Sequence, residues 1–163
     1  MESIFDESGK EKSLSKLSRQ ALWFLIHTVL ALASWLFLML LGYALNSEGI
    51  SQLLILVVSI LVSLAVGHFV TRFHPDDMAA AIWLVGLIWL LVISLWILDM
   101  PTGPNQCFQC DATEKLARTF LSIPKPSGLI DDDGPFLATW PAAALFGYSI
   151  GAWLALRHHK LRD

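Results

Sequence analysis

Few residues in this chain have types and spacing suited to chemistry. Two cysteines stand three apart in Cys107-Phe108-Gln109-Cys110, and two histidines, His27 and His68, lie inside strongly apolar stretches. A Cys-x-x-Cys pair in an oxidising compartment closes as a local disulfide or works as a redox pair. Asp111 follows Cys110, so the histidine of covalent haem attachment is missing. A zinc site needs about four ligands, and the surrounding stretch supplies no histidine and no further cysteine. Asp111 and Glu114 have the spacing of an N-cap and its capping-box partner, which predicts a short amphipathic helix with Leu116, Phe120 and Leu121 on one side. Both cysteines then precede a helix N-terminus, where a thiolate is favoured. A Cys107–Cys110 disulfide closing so small a loop adds only about 2 kcal/mol, so it would shape the loop more than stabilise the protein.

His27 and His68 point to different chemistry. An imidazole held on a membrane helix can serve as axial ligand to a haem b or a chlorophyll-type pigment. Arg72 follows His68 by four residues, on the same helical face, and would be placed to meet a propionate. The plainer expectation is that such histidines bond to backbone, headgroup or water, and no cofactor is then required. His74, His158 and His159 are in or beside polar segments and are expected to titrate in solvent.

The elements that must position these residues are four uncharged runs, 20–47, 49–71, 78–98 and 134–156. About 20 residues at roughly 1.5 Å rise each cross the ~30 Å hydrocarbon core of a bilayer. The expected fold class is therefore an all-α integral membrane protein, a four-transmembrane-helix bundle in one domain. Its parts are a tail at 1–19, spans at 20–47, 49–71, 78–98 and 137–156, an ordered loop at 99–136 and a tail at 157–163. Composition agrees: 55% of the chain is hydrophobic and 15% charged, against about 25% charged in a typical soluble domain. The net charge of −3 and the scattered basic residues argue against a nucleic-acid partner.

Charge distribution predicts orientation. Lys10, Lys12, Lys16, Arg19, Arg72, Arg157, Lys160 and Arg162 fall on one side of a four-span chain, and only Lys115, Arg118 and Lys125 on the other. The excess of basic residues predicts cytoplasmic termini and an external 99–136 loop. Trp23, Trp83 and Trp153 then lie near the inner interface and Trp96 and Trp140 near the outer one, the level at which an indole with an apolar ring and a polar N–H is best placed.

Small residues recur at four-residue spacing on two of the runs: Ser59, Ser63 and Gly67 on the second, and Ala143, Gly147, Gly151 and Ala155 on the last. Positions four apart share a helix face, so each stripe lets another backbone approach closely, within this chain or from a partner helix. No Asp, Glu, Lys or Arg lies inside any run. Pumps and proton-coupled carriers use such intramembrane charges, so transport by this chain alone is disfavoured.

Four spans, cytoplasmic termini and the external Cys107/Cys110 pair together resemble the quinone-linked disulfide-generating proteins of bacterial inner membranes. The resemblance implies a thiol–disulfide oxidoreductase in a bacterial inner (plasma) membrane. Those proteins pass electrons between two external cysteine pairs, whereas this chain has one pair, in its second external loop. The reading that uses most of the features is a non-catalytic accessory subunit of a larger respiratory, photosynthetic or similar membrane complex. Its partners are then the lipid bilayer and other integral membrane proteins, met through the small-residue stripes.

Overall fold

The computed structural model describes residues 2–44, 52–99, 111–121 and 138–161, and all regular structure among them is helical. Helix α1 runs Glu2–Ala44 and α2 runs Gln52–Phe73. A 3-10 segment, Asp77–Ile82, leads directly into α3, Trp83–Asp99. A short α4 covers Ala112–Leu121 and α5 covers Thr139–Lys160. Three apolar stretches are long enough to cross a membrane: Lys16–Leu41, Leu56–Phe73 and Asp77–Asp99.

No proline falls between residues 2 and 44, and the lysine-bearing N-terminal segment belongs to the same continuous helix as the apolar part of α1. At ~1.5 Å per residue this helix is about 65 Å long, twice the hydrocarbon thickness, so one end must project beyond it. Helix α2 stops ahead of Pro75, which disfavours the helical conformation at the residue before it. Asp76 is extended (φ −136°, ψ 123°), and its Oδ1 accepts the Met78 N–H at 2.9 Å, an N-cap on the next element. That element opens as 3-10 and changes to α-helix at Trp83.

Contacts give the relative directions. Trp23 stacks on His74 and Ser34 bonds to Ser63, so α1 and α2 are antiparallel. Gly147 faces Ile60 and Gly151 faces Leu64, so α2 and α5 run parallel. Ser149 meets Ala80 and Trp83, Leu145 lies beside Gly86, and Ala138 clusters with Ile93 and Ile97, so α3 and α5 are antiparallel.

The centre of the bundle is α5, which is buried on most sides through Ala142, Leu145, Tyr148, Ala152 and Ala155. Helices α1, α2 and α3 instead turn Leu25, Phe37, Leu61, Ile88, Leu91 and Leu95 outward. In water so much exposed apolar surface would drive association. In lipid it is solvated, and the helices associate through close packing and polar contacts. The small residues of α5 supply that close packing. At the far end α4 returns to the bundle, with Phe120 packed on Ile93, Ile97 and Ala138 and its carbonyl accepting the Thr139 hydroxyl at 2.7 Å.

Candidate functional site

The α2–α5 seam is built from residues four apart. Ser59, Ser63, Gly67 and Thr71 form the buried stripe of α2. A Cβ at Gly67 would run into the backbone carbonyl of Tyr148, and one at Gly151 into that of Leu64. One at Gly147 would lie 2.7 Å from the Ile60 carbonyl oxygen. Ala155 is buried at the same seam and Ala143 half-buried. The two stripes are thus mated to each other within the chain.

Beside this seam, Phe24, His27, Ala31 and Ser34 follow helical spacing along α1 and face inward. His27 is fully buried, and its Nδ1 shares a 2.7 Å hydrogen bond with the Tyr148 hydroxyl on α5. Trp23, one turn earlier, stacks on His74 at 4.0 Å between ring centroids. Deeper in the bundle the Ser34 and Ser63 hydroxyls are 2.9 Å apart. Ser149 holds the switch from 3-10 to α-helix, where backbone groups fall out of the regular ladder. Its Oγ accepts the Trp83 N–H at 2.8 Å and donates to the Ala80 carbonyl at 3.0 Å. Every one of these bonds joins one element to another. His27 Nε2, Ser59 Oγ and Thr71 Oγ1 are buried with no hydrogen-bond partner.

His68 occupies a different place. With Arg72, Ala155, His158 and His159 it lines a cavity of ≈ 40 Å³ between the C-terminal ends of α2 and α5. His27 does not line this cavity, whereas Arg72 accompanies His68 in it. A second cavity of ≈ 350 Å³ lies between α3 and α5, lined by Ala80, Trp83, Phe146, Ser149, Ile150 and Trp153. It is apolar apart from Ser149, whose hydroxyl is already bonded on both sides. Neither cavity is lined by His27, so neither sets a haem or pigment ring against its Nε2. Among the described residues no group of three His, Cys, Asp or Glu side chains is placed to hold a metal ion.

No family model, curated protein or solved structure matches this chain. Cys107 and Cys110 lie outside the described residues. The helix that follows them is capped by Asp111, whose Oδ1 accepts the Glu114 N–H at 2.7 Å and whose carbonyl accepts the Lys115 N–H at 3.1 Å.

Sequence reasoning missed Tyr148 and Ser149. A signal was present for the first: Tyr148 is one of two tyrosines in the chain, and a phenol inside an apolar helix requires a hydrogen-bond partner. His74, His158 and His159 are exposed, as their polar surroundings lead one to expect; His158 and His159 in addition line the cavity beside His68, and His74 stacks on Trp23.

Proposed function

We propose that this chain is a four-span membrane protein with cytoplasmic termini, acting as a non-catalytic accessory subunit of a larger membrane assembly, in a bacterial inner membrane. One observation carries the reading: the bonded polar side chains at the centre, His27, Tyr148, Ser34, Ser63 and Ser149, are all engaged in holding helix to helix. Such an interior is a fixed scaffold. Helix α5, with 22 residues, has the length of a fourth span, and the eight-to-three distribution of basic residues favours termini on the cytoplasmic side. The partner surface in this reading is the outer face of α3, opposite Gly86, Ile93 and Ile97, the helix's only buried residues. After gentle detergent extraction the chain should migrate on native gels with a second membrane polypeptide in fixed stoichiometry. A solitary monomer under those conditions would refute the subunit role.

A second reading is supported by the Asp111 cap. Cys110 immediately precedes a capped ten-residue helix, a position that favours thiolate. A Cys107–Cys110 disulfide would then oxidise a substrate dithiol and be reduced in turn, with the two electrons passing on to an external acceptor. Replacing both cysteines with serine should abolish oxidation of a test dithiol in this reading. If the serine variant and the parent oxidise it at equal rates, the redox role is lost and the accessory role is untouched.

A further inference from the structure

The notch between the C-terminal ends of α2 and α5 gathers nitrogen donors in a way that the packing of the bundle does not require. Four of its five lining side chains are His68, Arg72, His158 and His159, and no carboxylate lines it among the described residues. None of the four carries a side-chain hydrogen bond or ion pair to another described residue. Two helices end here, and their free carbonyls favour a cation near each end. That accounts for a basic residue at either terminus. It does not account for four donor-bearing side chains turned toward one small space. The three imidazoles are not grouped to bind a metal ion. What they and the guanidinium have in common is the capacity to donate to an oxyanion.

Size and level narrow the ligand. A cavity of ≈ 40 Å³ has room for about three waters, so it would take part of a phosphate group and not a whole headgroup. His68 lies one turn inside Arg72, so the notch slopes from the outer helix ends toward the apolar region. Trp153, half-exposed, carries the Arg157 guanidinium 5.5 Å above its ring on the same stretch of α5, and Trp23 stacks on His74 near the end of α2. Amphipathic tryptophans mark the headgroup level of a bilayer. A basic pocket between membrane helices at that level meets lipid phosphate before it meets any dilute solute.

We propose that His68, Arg72, His158 and His159 form a binding site for the phosphate of an anionic phospholipid headgroup, with Arg72 as the principal contact. A planar guanidinium makes paired, charge-assisted bonds to phosphate oxygens that no imidazole reproduces. The site rests on the membrane reading above, but not on which side the termini face.

The test uses the full chain purified in a neutral detergent, with native mass spectrometry and thermal shift as readouts. The probes are short-chain phosphatidylglycerol, phosphatidylcholine of the same chain length, and inorganic phosphate. Saturable binding of phosphatidylglycerol, with phosphatidylcholine at least about tenfold weaker, is the expected result. Arg72→Gln should weaken phosphatidylglycerol binding about tenfold, the loss expected for one charge-assisted contact, and the paired change His158→Gln with His159→Gln by a smaller factor. Arg157→Gln, which removes the same charge from outside the notch, should leave it unchanged. Equal binding of the two lipids, or equal loss from Arg157→Gln and Arg72→Gln, overturns the site. Inorganic phosphate binding as tightly as phosphatidylglycerol overturns the lipid as its source. Protease accessibility of the C-terminus in sealed vesicles reports orientation separately, so a wrongly assigned side would leave the binding result standing.

Discussion

Among Gly67, Gly86, Gly147 and Gly151, replacing Gly151 with alanine is expected to disrupt the bundle most. The new Cβ would overlap the Leu64 carbonyl and approach the His68 backbone nitrogen to 2.9 Å. Backbone cannot rotate out of the way as a side chain can, so α2 and α5 must separate along their shared seam. A gap of 0.5–1 Å forfeits roughly a quarter to a half of each dispersion contact across it. The intrinsic gain of alanine over glycine in a helix, about 1 kcal/mol, is too small to compensate. The expected loss is about 3 kcal/mol or more, at the upper end for overpacking. Gly67→Ala should behave alike, because its Cβ meets the Tyr148 carbonyl. Gly86→Ala supplies the contrast. There a Cβ would lie 3.4 Å from the Leu145 Cβ and from the Phe146 ring, both side chains, so the change should be neutral or stabilising by up to about 1 kcal/mol. Unfolding in mixed micelles, followed by tryptophan fluorescence, would measure all three. Similar stabilities for Gly151→Ala and Gly86→Ala would show that α2 and α5 do not approach as described.

The second large effect concerns the His27–Tyr148 bond, and its signature is non-additivity. Tyr148→Phe keeps the ring and removes the oxygen, leaving the buried His27 Nδ1 without its partner at 2.7 Å. An unsatisfied buried polar group costs about 1–3 kcal/mol. His27→Leu strands the Tyr148 hydroxyl instead and should cost a comparable amount. Joining the two changes removes both polar partners from an apolar setting, together with the unpartnered Nε2 of His27. The double variant should therefore be more stable than the sum of the single losses predicts, by about 1 kcal/mol or more. Polar pairs between membrane helices average only about 0.6 kcal/mol, so a clear excess would identify this bond as a principal tie between α1 and α5. Strict additivity in the same micelle unfolding assay would mean that the two side chains are not coupled.

Both predictions draw on features that are partly legible in the linear chain. The four-residue recurrence of Ser59, Ser63 and Gly67, and of Ala143, Gly147, Gly151 and Ala155, specifies that each set shares a helix face. It carries no information on what lies opposite. The same limit applied to His27, whose apolar neighbours mark an embedded position, while its partner Tyr148 is 121 residues away. His27 and His68 looked like a pair because both lie in corresponding stretches of adjacent helices. Both meet α5, but at different residues: His27 bonds to Tyr148, and His68 lines the notch with His158 and His159.

By itself, the sequence determined the class of the protein and several local features. Long uncharged apolar runs admit only helices in a bilayer, because every backbone N–H and C=O must be satisfied within the segment. Pro75 and Asp76 determined where α2 ends and the next element starts, and Asp111 where α4 starts, since these are contacts between near neighbours. Tertiary structure alone decided that α5, with its glycines, alanines and buried tyrosine, is the centre, while the leucine-rich helices form the outside. Periodic apolarity identifies a core in water, but lipid solvates leucine as well as a protein interior does. In that solvent the interior goes to whichever helix others can approach most closely, and close approach is a property of two surfaces that meet only in the fold.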